Sequence, residues 1–103
     1  MFIVVLFNLK PGVSVAEYEE WATGVDIPGV RRMKSIAAFD VFRLEAVRGS
    51  GAAPPDQYVE LLEVADEEQF KADVSTDAQK AVSARFRELA DNPLFINSTK
   101  LGA

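Results

Sequence analysis

The chain has neither cysteine nor histidine among its 103 residues. Without cysteine there are no disulfides, thiolate nucleophiles, zinc-thiolate sites or iron-sulfur clusters. Without histidine there is no Ser-His-Asp triad, no imidazole-bound zinc or non-haem iron, and no proximal ligand for haem. Any catalysis has to run on carboxylates, Tyr, Lys, Arg, amides or the substrate itself, and the expectation is a protein with no metal and no cofactor. Basic residues are also few, 11 Lys and Arg against 16 Asp and Glu, for a net charge of −5. They are scattered, whereas binding to phosphate backbones depends on clustered cations that release counterions, so nucleic acid is not expected as a partner. The longest apolar run, Phe2 to Phe7, is far too short to span a bilayer, and the basic leader and small-residue cleavage site of a secretory signal are missing. The expected location is therefore cytoplasmic, with no membrane partner. Gly49-Ser50-Gly51 lacks the spacing of a phosphate loop.

What is present reads as one compact domain over residues 1–103, because a chain of this length removes roughly 65% of its unfolded surface from water, enough for one modest core. Phe2 to Lys10 is rich in Val, Ile, Leu and Phe and stops at Lys10-Pro11-Gly12, which predicts a first strand. Ser14 and Glu17 have the spacing of a capping box and open a helix carrying Val15, Tyr18, Trp21, Ala22 and Val25, with Gly24 and Ile27-Pro28-Gly29 expected to break it into an irregular second turn. Ser35 to Val47 and Gln57 to Ala65 predict the second and third strands. The Gly-, Ala- and Pro-rich connection between them, residues 49–55, is longer than a tight hairpin needs; a lid and a disordered loop are equal expectations. Asp66 with Gln69 caps a further helix, whose stripe runs through Phe70, Val74, Ala78, Ala81, Val82, Phe86 and Leu89. Thr76 with Gln79 repeats the cap signal and predicts a break near Ser75. Asn92-Pro93 ends the helix, and Leu94 to Leu101 is the expected fourth strand.

The predicted fold is thus α+β: a ferredoxin-like βαββαβ chain with a four-stranded antiparallel sheet, its first and third strands central and its helices on one face. A sheet with one face in water alternates apolar with polar residues. The first strand instead places Phe2, Val4 and Leu6 on one face and Ile3, Val5, Phe7 and Leu9 on the other. Helices can cover only one of these faces. The expected cover for the second is another copy of the chain, a homodimer through the sheet face.

Polar residues inside such apolar strands are the candidates for chemistry: Asn8, Asp40, Arg43, Tyr58, Glu60, Glu63 and Asn97. Glu60 and Glu63 fall on opposite faces of a central strand, and Arg43 is the expected partner of one of them. Asp40 and Glu60 are the candidate general bases. Tyr18 and Trp21, three residues apart on the first helix, can both face the sheet, either as core aromatics or, with Asn8 and Tyr58, as the lining of a site for a flat aromatic or hydrophobic metabolite. Arg31 and Arg32 are an anion-binding candidate, with a solvated helix end as the alternative.

Three segments, Leu6-Phe7-Asn8-Leu9-Lys10-Pro11-Gly12-Val13, Pro54-Pro55-Asp56-Gln57-Tyr58-Val59-Glu60 and Asp91-Asn92-Pro93-Leu94-Phe95-Ile96, carry a family resemblance that runs nearly end to end. The chain resembles the REDY-like proteins of the HapK type, within the dimeric α+β barrel superfamily. That resemblance implies a place beside pyrrole or bipyrrole intermediates of prodigiosin-like pigments. Barrels of the wider superfamily include cofactor-free monooxygenases, polyketide cyclases, lactone isomerases and haem enzymes, the last at odds with a chain lacking histidine. It supplies no catalytic residues to carry over. The function expected is binding a flat hydrophobic compound in the helix-sheet cleft, with cofactor-free catalysis; the alternative is a carrier module that shelters its ligand.

Overall fold

The structure is a computed structural model and describes residues 1–102. Strand β1 spans Phe2–Leu9 and ends in a turn closed by Val13 N–H donating to the Lys10 carbonyl at 3.0 Å, with Gly12 at φ 89, a conformation that a side chain disfavours. Helix α1 (Val15–Trp21) starts where the Ser14 hydroxyl accepts from Glu17 N–H at 3.0 Å.

The irregular second turn expected at Gly24 and Ile27-Pro28-Gly29 is present, but the helical winding is not interrupted. Helical winding continues through a π-helical segment, Ala22–Asp26, into α2 (Ile27–Arg31), and Ile27 N–H donates to the carbonyl of Ala22, five residues back. Pro28 accounts for the widened turn, since in a regular α-helix its ring would press on the carbonyl four residues earlier. The wider turn leaves both Ala22 and Asp26 buried.

Strands β2 (Ile36–Arg43) and β3 (Tyr58–Val64) are shorter than the sequence predicts. In the connection between them, Gly51 N–H donates to the Val47 carbonyl and Val47 N–H to that of Ala52, with Gly49 and Gly51 at positive φ. The predicted helix break is present, as α3 (Glu67–Asp73) and α4 (Asp77–Leu89) carry separate caps from Asp66 and Thr76. Buried Ser35 ties α3 to the start of β2, donating from its N–H and hydroxyl to Asp73 Oδ2 at 3.1 and 2.7 Å; the Ser35 bonds, reinforced by Gln69, hold that carboxyl below its usual range. Strand β4 (Ala90–Ser98) begins four residues before the predicted Leu94. Asn92-Pro93 lies inside it as a bulge, with Asn92 at φ 44 and a register shift opposite Leu6 and Asn8.

All three strand pairings are antiparallel, in the order β2-β3-β1-β4, with β1 and β3 central as the sequence predicts. Odd residues of β1 and even residues of β3 face the helices. The core gathers there around Phe7, whose ring stacks on Tyr58 at 5.3 Å and meets Tyr18 and Phe86 edge-on at 5.5 and 5.0 Å. The other face carries Val4, Leu6, Val59, Leu61, Phe42, Leu94 and Ile96, and Leu94 is 58% exposed there. No helix among the described residues is long and apolar enough to cross a membrane.

Candidate functional site

Between the sheet and the helices lies a cavity of about 120 Å³. Its walls are apolar: Phe39 from β2, Phe70 and Val74 from α3, Val82 and Phe86 from α4, and Phe95 from β4. The stripe predicted on α3 and α4 is therefore divided: Phe86 and Leu89 fill the core, while Phe70, Val74 and Val82 face an open cleft, where Val74 and, from β4, Phe95 remain exposed.

Two carboxyl groups share this cavity, Glu60 from β3 and Asp26 from the π-helical segment. Each residue is only 6% exposed. Glu60 reaches it because Val5↔Glu60 and Val41↔Glu60 are directly opposed pairs, which puts its side chain on the helix side. Its Oε2 atom and the Tyr18 hydroxyl are buried with no hydrogen-bond partner among the described residues. Burial, reinforced by the Asp26 charge, pushes Glu60 up to about 8, and burial alone pushes Asp26 up to about 6. Near neutral pH the pair then holds close to one proton, mainly on Glu60. Tyr18 stays protonated far above the ordinary range, through burial first and then the nearby Glu60 and Asp26 carboxylates.

Beside this cavity, at the β2 side, the Tyr58 hydroxyl donates to Glu19 Oε2 at 2.8 Å and Arg43 Nε donates to the same oxygen at 2.7 Å. Burial and this bond keep Tyr58 protonated well above its usual range. Arg43 thus partners Glu19 and, at 4.0 Å, Glu45; it does not reach Glu60 or Glu63 as expected, because Glu19 on α1 takes its guanidinium first.

The structure does not bring the sequence-derived candidates together. Glu60, Tyr18 and Tyr58 converge on the helix side of the sheet. Asp40 stands on the outer face opposite Leu61, half-exposed and paired with Arg31 at 3.1 Å, at the edge of a shallow apolar hollow of about 370 Å³ that Phe2, Val4 and Leu61 also line. That hollow is larger than the helix-side cavity but contains no buried ionisable group, and Asp40 and Glu60 cannot act on one substrate from opposite faces. Asn8 also points outward, its Oδ1 accepting from Gln57 N–H at 3.0 Å to tie β1 to the start of β3. Trp21 packs beside Tyr18 at 6.2 Å but lies over the helix surface near Val25 and Arg85, away from the cavity. Arg31 is engaged by Asp40 and by the Phe39 carbonyl, so half of the proposed anion site is occupied by the chain itself. Sequence reasoning missed Asp26, and its signal was an acid between two branched apolar residues, Val25 and Ile27, just before Pro28.

This is a single-sheet ferredoxin-like α+β protein with a carboxyl pair in its helix-sheet cleft. It matches the family described as REDY-like protein HapK over residues 1–101, and the chain belongs to that family. The crystal structure of HapK from Hahella chejuensis is similar, with 25% identity, a TM-score of 0.68, and coverage of 100% of this chain and 97% of that one. SnoaB from Streptomyces nogalater, a cofactor-independent oxygenase, shares 14% identity with a TM-score of 0.68, covering 96% of this chain and 92% of that one. A dimeric ferredoxin-like protein of unknown function from Thermobifida fusca shares 16% identity with a TM-score of 0.68, over 92% of this chain and 85% of that one. No curated protein matches the chain in sequence.

Proposed function

We propose that the protein binds a flat hydrophobic compound of aromatic or secondary metabolism in the helix-sheet cavity and acts on it without a cofactor, with Glu60 as the proton-transfer group. The observation that carries this reading is the unpartnered Glu60 Oε2 in a cavity walled mainly by apolar side chains. A carboxyl titrating near 8 exchanges protons with a substrate at neutral pH far more readily than one near 4. Burial sets that value and the Asp26 charge raises it further, and the Tyr18 hydroxyl is the nearby donor for developing negative charge. The SnoaB likeness supports cofactor-free oxygenation as one outcome for this fold, with cyclisation and isomerisation as others, but fold alone does not carry a reaction across. The family resemblance favours pyrrole-type substrates. A second copy covers the apolar outer face, in keeping with the dimeric Thermobifida fusca protein, and would bury on the order of 800 Å² per partner.

The test is aerobic incubation with a panel of quinols and pyrroles, followed by absorbance and product mass. Turnover is expected in the native protein and about a hundredfold less in Glu60→Gln, the usual scale for losing a proton-transfer group. Equal turnover in the two proteins would remove Glu60 from the mechanism. Binding without turnover across the panel would favour the carrier reading instead.

A further inference from the structure

The cavity contains acids and no compensating base. Around the Asp26 and Glu60 carboxyls, α1 contributes Tyr18 and, further off, Glu19; β3 contributes Tyr58; and Arg43 of β2 is committed to Glu19. The walls from α3, α4, β2 and β4 add only uncharged groups, among them the polar Gln79 and Ser83 of α4. Two carboxyls in one low-dielectric space cannot both ionise cheaply, so the apo protein keeps a proton where a cation would satisfy both. Glu60 Oε2, on a residue 94% removed from water and without a partner, is the acceptor left open for it.

We propose that the ligand of this cavity is a single-ring compound bearing one positive charge on nitrogen, an amine or amidine, and not an anion. This rests on the reading of the cavity as a ligand site and narrows the ligand class. The volume of about 120 Å³ is near that of the roughly 150 Å³ apolar cavity that admits benzene. The ring lies against Phe39, Phe86 and Phe95, which line the cavity, while the nitrogen donates to Glu60 and Asp26. Its charge lowers the proton affinity of the pair, so Glu60 passes its proton to solvent and becomes the carboxylate that a base has to be. The ligand's own charge thus switches the acid to its active form.

The test uses three probes of one size on the intact protein, benzylamine, toluene and benzoate, by titration calorimetry at pH 7 in phosphate and in Tris. Benzylamine is expected to bind at least about tenfold more tightly than toluene, the gain from one charge-assisted hydrogen bond. Benzoate should not bind. The difference in heat between the buffers should correspond to release of close to one proton. Glu60→Gln should lose the proton release and the preference for benzylamine while still binding toluene, and Asp26→Asn should weaken benzylamine in the same direction. Toluene or benzoate binding as tightly as benzylamine, or benzylamine binding without proton release, would overturn the cationic assignment while leaving the cavity a ligand site. Failure of all three probes would overturn both.

Discussion

Val41 and Glu60 stand directly opposite each other across the β2–β3 ladder, and the next pair along is Asp40 with Leu61. That single step of parity separates the two acids onto different faces of one sheet. It leaves Glu60 buried under the helices and Asp40 in solvent beside Arg31.

Burying Glu60 should make the protein lose stability as pH rises. Its ordinary value of 4.5 becomes about 8 in the folded chain, so between those values the unfolded state gives up its proton first. Unfolding then releases a proton, and stability is fully present below pH 4.5 and declines until pH 8. Asp26 acts in the same direction between 3.8 and about 6. Urea unfolding should show a decline on the order of 4 kcal/mol between pH 4.5 and pH 9 from Glu60. In Glu60→Gln most of that decline should vanish, leaving the variant more stable than the native chain at pH 9. A native curve that is flat or rises over this range would mean that Glu60 is ionised in the folded protein.

The apolar outer face should govern assembly. Replacing Leu61 and Leu94 together with Glu puts four charges at the centre of a two-fold contact. Sedimentation should then shift from twice the chain mass to the 11.3 kDa chain, with the circular dichroism of the helices retained. An unchanged mass in the variant, or a native protein already at 11.3 kDa, would count against a partner on this face.

Asn92, at φ 44 in the β4 bulge, sits in the left-handed region that glycine and asparagine tolerate and β-branched residues do not. Asn92→Val should cost about 1–2 kcal/mol in urea unfolding, and Asn92→Gly less than about half of that. Equal losses for the two would point to the side chain and not to the backbone.

Ser14 caps α1 through one bond to Glu17 N–H. Ser14→Ala should lower stability by about 1 kcal/mol, or roughly 4–8 °C in the melting temperature of a domain this size. Ser14→Asp should restore it.

Much of the fold was legible because its signals are local: the caps at Ser14, Asp66 and Thr76, the turn at Gly12, and the doubly apolar β1 all follow from neighbouring residues. The site was only half legible. Where both faces of a strand are apolar, the pattern that normally distinguishes inside from outside is lost, so Glu60 and Asp40 looked equivalent until the register was known. Asp26 was hidden for a different reason. Its inward position depends on a π turn forced by Pro28, and helical spacing taken at 3.6 residues per turn does not anticipate it. Asn8 misled because its side chain serves the backbone of Gln57, a contact 49 residues distant in sequence.

The separation of the sheet's two faces also has a consequence for stoichiometry. Two copies stacked through Leu61, Phe42 and Leu94 would point their cavities away from each other, with two sheet layers about 10 Å apart between them. Each cavity is bounded by its own chain's helices and strands. Such an assembly should bind two ligands per pair with a single affinity, filling one station without altering the other.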